Sequence, residues 1–308
     1  MNESSEMQHR ARAIEAKQAL AEWRARSIAP LIAFVVFCFG GMKAIEAGEL
    51  PMIPADEPAR EPNPPPPPLP GQATGLERDE SNLSALKRLC HRAIEQEKSL
   101  SNYVCRIRRR EQVNGKDQPE ETIMLKYCRA PLSIHCKWLG DEAKGREIIY
   151  VQGQRDNRVN ILTGKGDIVG SGKRMTFPLE SPVVRSKSRH PLTEAGMGAP
   201  VVRFAALINA IDHGQASAGS VRYLGLQSRS EFPKPVEAVE QTLPANFDPF
   251  LPRGGSRYFF FDEATGLPTL IVTFDDAKRQ VEYYHFDRLQ SPANLDEFDF
   301  DPDFLWRK

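Results

Sequence analysis

YVCRIRRREQVNGKDQPEETIMLKY, residues 103–127, is the stretch whose reading decides the fold. Tyr103, Cys105 and Ile107 alternate with Arg106 and Arg108, which is the period of a strand with one apolar face. Asn114-Gly115 supplies the positive φ angles of a tight hairpin turn, and Ile123, Leu125 and Tyr127 resume the alternation on the returning strand. Further strand patterns follow at 133–139, 146–152, 158–163 and about 173–177, joined by loops too short for anything but an antiparallel meander. After an irregular stretch from Pro182 to Pro200, the pattern changes period. Phe204, Leu207, Ile208 and Ile211 predict a helix over 201–213. Strands return at 221–230, 236–241, 257–262, 270–274 and 280–286, and the acidic, aromatic tail 289–308 reads as a closing segment. On the other side of the hairpin, 79–100 predicts an amphipathic helix with Leu83, Leu86, Cys90 and Ile94 on one stripe and Asp79 or Ser81 as candidate caps. The sum is an α+β domain: about ten antiparallel strands in a curled, open half-barrel, capped by two helices.

Upstream of this domain the chain changes character three times. Residues 1–27 are charged, and 10–26 carry Ala13, Ala16, Leu20 and Trp23 on one helical face. APLIAFVVFCFGGM, residues 29–42, is fourteen positions without a charge, preceded by Arg24 and Arg26. A spanning helix needs about 20 apolar residues, so 28–47 reads either as a cleaved signal peptide or as a retained signal-anchor whose 28–45 span includes Lys43. Both readings place the N-terminus in the cytoplasm and the remainder on the far side. Between Glu49 and Pro70 there are ten prolines, five of them consecutive at Pro64 to Pro68, so 48–75 is expected to be an extended spacer ahead of a 76–308 domain. The expected location is the cell envelope, on the periplasmic side of the cytoplasmic membrane, anchored or secreted.

The 41 basic and 41 acidic residues cancel, which argues against a nucleic-acid partner. Motifs for chemistry fail on inspection. DIVGSGKR, 167–174, lacks the first glycine and the closing Ser or Thr of a phosphate loop and is followed by MTF, so it reads as a glycine-rich hairpin turn. Asp299, Asp301 and Asp303 lack the glycine of a calcium loop. His135 and Cys136, adjacent on a strand, face opposite ways and do not share a metal simply. No catalytic constellation and no cofactor is expected, and the domain is read as non-enzymatic. An enzyme reading would need His135 or His190 beside a carboxylate and a nucleophile in one pocket.

Of the arginines Arg106, Arg108, Arg109 and Arg110, three share one strand face, read as a solvated outer surface. If the curled sheet leaves a cleft, its candidate lining is Tyr103, Ile107, Leu125, Tyr127, Trp138, Tyr150 and Phe260, favouring an apolar guest. Cys128 and Cys136 flank the turn 129–132 and form a candidate disulfide, with free buried thiols as the alternative.

NYVCRIRRREQVNGK, LKYCRAPLSIHCKWL, KGREIIYVQGQ and SRHPLTEAGMG, with LPTLIVTFDDAKRQVEYYHFDRLQSPANLDEFDFD near the end, together resemble the bacterial exported family called domain of unknown function 1571. Arg129, Pro131, Ser133, Gly145, Arg146, Glu147, Thr193 and Gly196 fall on its signature positions, while His135 stands where the family usually has tyrosine. That family is similar in fold to the LolA-like superfamily. The resemblance implies an unclosed antiparallel half-barrel with an apolar concave face that accommodates acyl chains, and no reaction. The expected partner is a lipid or the acyl moiety of a lipoprotein, with arginines at the rim for headgroups. The alternative is an envelope sensor or scaffold that binds a protein or wall polymer and has no lipid guest.

Overall fold

The computed structural model describes residues 75–307 apart from 187 and 216–218. The expected segments 1–27, 28–47 and most of 48–75 lie outside the described residues. Helix α1, Gly75–Ser99, leads into the hairpin: β1 is Asn102–Val113, β2 is Lys116–Asp117 and β3 is Glu121–Cys128. The meander continues with β4 Ser133–Trp138, β5 Glu147–Val151, β6 Arg158–Leu162 and β7 Arg174–Pro178. An arm holding the short α2, Pro182–Arg185, and the longer α3, Gly198–Asp212, precedes β8 Ser220–Gln227. Strands β9 Val236–Leu243, β10 Gly255–Phe261, β11 Pro268–Asp275 and β12 Gln280–Gln290 follow, and the short α4, Pro302–Leu305, ends the fold. Because α1 begins at Gly75, Asp79 and Ser81 fall inside it rather than capping it. Among the described residues no helix is long and apolar enough to cross a membrane.

The sheet runs β7-β6-β5-β4-β3-β1-β12-β11-β10-β9-β8, all neighbours antiparallel, with β2 paired only to β1. Two meanders therefore meet where the first long strand pairs with the last, and the sheet is left open at β7 and β8. Since β7 and β8 are opposite edges, the intervening chain must cross one face to connect them, and α3 is the crossing. That face is the inner one. Leu86, Leu89 and Ala93 of α1 and Val201, Phe204 and Ile208 of α3 are buried in one core with Tyr103, Leu125, Val239, Phe259 and Phe261 of the sheet. Phe204 sits between Phe259 and Phe261, with ring centroids at 5.3 and 4.9 Å, an arrangement that adds specific aromatic contact to the burial of apolar area.

The outer face is covered as well. Val236, Ala238, Tyr258, Phe260, Leu270 and Val272 form a separate cluster with Phe232, and Arg229 lies 4.7 Å from the Phe260 ring centroid. At the other end Phe300 and Trp306 of the C-terminal segment bury themselves with Ile149. Asp299 pairs with Lys126 at 2.5 Å, and Arg155 reaches Asp301 at 2.9 Å and Asp303 at 2.8 Å. The acidic triplet is thus a clasp that holds the closing segment to the sheet.

Candidate functional site

Strand register builds the site. Ile107 of β1 pairs with Ile123 of β3 and Phe286 of β12. Beyond β3, Ile123 faces Trp138, Cys136 faces Ile148, Ile148 faces Ile161 and Ile161 faces Met175. Each hairpin preserves the side on which its apolar residue points, so a row of apolar side chains, mostly aliphatic, crosses seven strands on the inner face. Helices α1 and α3 fill only part of that face. Over the remainder a cavity of about 550 Å³ is left between this row and the arm, whose Val184, Pro191, Leu192 and Ala195 form the opposite wall.

Two residues further along the strands the same face turns ionic. Arg109 pairs in register with Glu121 on β3 and Tyr284 on β12, and Glu111 with Glu282. The Arg109 guanidinium donates to Glu121 at 2.6 Å. Burial works against its charge, but Glu121, Tyr284 and Glu111 reverse this and raise its pKa. Trp138 donates its indole N–H to Glu121 at 2.8 Å, with Arg109 and Arg146 at 5.8 and 5.4 Å from the ring centroid. Arg146 in turn is held by Asp167 at 2.5 Å. Glu111 and Glu282 are like charges set directly opposite, an arrangement that is destabilising unless compensated. Glu282 accepts from Thr273 at 2.6 Å and is paired with His190. Burial opposes its ionisation, and His190, Arg257 and Arg189 together more than offset this, so its pKa lies well below the carboxylate range. Glu111 accepts from the Tyr284 hydroxyl. The cavity is therefore amphipathic: hydrocarbon across the row, and paired ions beside it.

The sequence-predicted cleft residues divide. Ile107 and Trp138 line the cavity. Tyr103, Leu125 and Tyr150 are buried in the main core, and Tyr127 stacks on Tyr103 at 4.9 Å. Phe260 points to the outer face, contrary to expectation, because Phe259 and Phe261 are the inward members of that strand. Ile148, Ile161, Met175 and Phe286 line the cavity without having been singled out, although the register of successive hairpins, carried forward from Asn114-Gly115, identifies the first three. Of the arginines, Arg106, Arg108 and Arg110 share the outer face as expected, although Arg106 pairs there with Asp287 and Arg108 contacts His285; Arg109 faces inward. At the cavity, Arg109, Arg146, Arg203 and Arg257 each have a carboxylate partner, so none is a bare cation awaiting a headgroup. Cys128 and Cys136 are free. Their register partners are Ser133 and Leu125, so they lie on opposite faces of the β3–β4 hairpin and no disulfide joins them.

The signature positions have structural occupations. Arg129 donates to the carbonyls of Glu97 at 2.6 Å and Leu100 at 3.1 Å, capping α1. Pro131 follows a cis peptide bond, and Ser133 donates to its carbonyl at 2.9 Å. Glu147 lies on the outer face, bonded to His135, Lys137 and Trp306 at 2.8, 2.9 and 3.1 Å. Gly145 takes a φ of 82°, and Thr193 sits in a short turn of the arm. At Gly196 a Cβ would come within 2.6 Å of the Tyr103 hydroxyl and 2.8 Å of the Tyr127 ring, and that hydroxyl accepts from the Met197 N–H at 2.8 Å. Gly196 thus allows the arm to rest on the tyrosine stack. As for chemistry, His190 does stand beside a carboxylate in the cavity. Its imidazole meets Glu282 and Arg203, while the nearby Ser188 and Tyr284 hydroxyls are directed at Glu111; Ser188 accepts only from the His190 backbone N–H, at 3.4 Å, so among the described residues no hydroxyl is hydrogen-bonded to the imidazole.

Many solved structures are similar to the chain, and three of them illustrate the likeness. MucB matches with a TM-score of 0.41 at 12% identity over 71% of this chain, which spans 62% of MucB. The Mycobacterium tuberculosis lipoprotein LppX matches with a TM-score of 0.40 at 10% identity, covering 69% of this chain and 99% of LppX. A LolA superfamily protein from Nitrosomonas europaea matches with a TM-score of 0.33 at 9% identity, covering 71% of this chain and 98% of its own. No curated protein matches the chain. Residues 100–304 match the family described as protein of unknown function DUF1571, and the chain belongs to that family.

Proposed function

We propose that this domain binds a lipid, or the acyl moiety of a lipoprotein, in the cavity between the inner sheet face and the crossing arm, on the envelope side of the cytoplasmic membrane. The observation that carries the reading is the unfilled volume of about 550 Å³ over the Ile107, Ile123, Ile148, Ile161 and Met175 row. That volume lies within the range of roughly 300–1,000 Å³ typical of small-molecule sites. Removing an acyl chain from water there is worth about 0.8 kcal/mol per buried methylene. The ionic stripe beside the row offers hydrogen-bonding groups to the polar end of such a guest. Because its arginines are already paired, it attracts by geometry rather than by net charge. The reading involves no reaction. The N-terminal apolar stretch and proline-rich spacer fit a domain held near, or released from, a membrane.

Mass spectrometry of lipid co-extracted with the purified domain tests the proposal. Acyl lipid in stoichiometric amount is the expected result. A lipid-free protein that also ignores fluorescent fatty acids would count decisively against it.

A further inference from the structure

The connection between β6 and β7, GKGDIVGSGK over 164–173, projects at the mouth of the cavity. Its tip presents Ile168 fully exposed and Val169 half exposed, and Val183 of α2, half exposed as well, also borders the cavity. The tip is held in this pose. Gly166, Gly170 and Gly172 take φ angles of 82°, 82° and 77°, which side-chain-bearing residues rarely adopt. The Thr163 hydroxyl donates to the Gly170 carbonyl at 2.6 Å and accepts from the Lys173 N–H at 2.8 Å. The Asp167 carboxylate accepts from the Gly164 N–H at 2.7 Å and is turned toward Arg146. The one acid of the loop is thereby neutralised, while Lys165 and Lys173 remain exposed on either side of the tip. The adjoining turn, whose Lys144 carbonyl accepts from the Lys165 N–H at 2.9 Å, adds one lysine and the exposed acids Asp141 and Glu142.

Two branched aliphatics on a narrow tip fall far short of the roughly 800 Å² per partner of a standard protein interface and include no aromatic or arginine anchor. They suit a bilayer interface, where a few apolar side chains dip below the headgroups while lysines reach back to phosphates. We propose that the Ile168-Val169 tip docks the domain on an anionic lipid bilayer, with the cavity mouth opening at its surface. A hydrocarbon chain would then pass between bilayer and cavity with little exposure to water. This docking goes beyond guest binding and stands or falls separately from it.

Residues 75–308 bury a core of their own and lack the apolar 29–42 stretch, so they are the species to test by flotation with phosphatidylcholine–phosphatidylglycerol vesicles. The wild-type domain is expected to float, and the Ile168→Asp/Val169→Asp variant to lose partitioning by roughly tenfold or more with an unchanged Tm, since both positions are exposed. A wild-type domain that stays with the soluble fraction, or a double variant that floats equally well, overturns the proposal. Ile161→Trp, which alters the cavity floor away from the tip, separates the two ideas: it is expected to lose fluorescent fatty-acid binding while floating with the vesicles as the wild type does.

Discussion

At the scale of single residues, Gly196 and Glu147 show how local chemistry fixes the site. Gly196 is where the arm touches the sheet, and its missing side chain is what brings Met197 within reach of the Tyr103 hydroxyl. Gly196→Ala forces the Tyr103–Tyr127 stack or the arm to move, and is expected to cost about 1–3 kcal/mol, read as a lower urea midpoint. An unchanged midpoint would remove Gly196 from this role. Glu147 is opposed by burial but held by His135, Lys137 and Trp306, which bring its pKa down to about 2 from an ordinary 4.5. The folded state therefore resists protonation more than the unfolded chain does. The stabilisation is fully present above about pH 4.5 and is lost as the pH falls from there toward 2. It amounts to about 2–3 kcal/mol, reduced somewhat by screening at the half-exposed Lys137. Glu147→Gln is expected to flatten the dependence of the urea midpoint on pH across that window, and a variant with the wild-type slope would contradict this. The family signature marked both residues, but not what they do. Gly196 works through tyrosines distant in sequence, and Glu147 through Trp306 at the far end of the chain.

At the scale of elements, the hairpin at Asn114-Gly115 and the strands of the first meander were readable because alternation and turn chemistry are local. The pattern failed where both faces are covered. Phe259-Phe260-Phe261 is apolar throughout because helices pack on one side and the Phe232 cluster on the other, so nothing in the run says which ring faces the cavity. The same reasoning explains Arg109, whose inward position is set by parity with Ile107, while its charge argues for solvent until Glu121 is placed beside it. The C-terminal segment was legible only as a closing piece; its docking depends on Lys126, Arg155 and Ile149, none of them near in sequence. Trp306→Ala removes a buried side chain from that segment and is expected to cost about 3 kcal/mol, with early proteolytic loss of the last residues. Resistance equal to wild type would show that the clasp does not depend on the indole.

At the scale of the whole molecule, what no local pattern reveals is the pairing of β1 with β12. It places the two meanders side by side, leaves β7 and β8 as opposite edges, and compels the connection to cross the inner face. The cavity is a consequence of that crossing, since α1 and α3 cover only part of the face they pack on. The four described cysteines are free, with burial pushing the Cys136 thiol up to about 12, so reductant is expected to leave the Tm unchanged; a drop of several degrees would reveal a bridge. The central claim, that the aliphatic row and the arm enclose room for an acyl chain, is tested most directly by titrating a fluorescent long-chain fatty acid into the wild-type domain and into Ile161→Trp, which places an indole in the cavity. Saturable binding by the wild type, lost in the folded variant, is the predicted result. Equal binding by both, or none by the wild type, would contradict it.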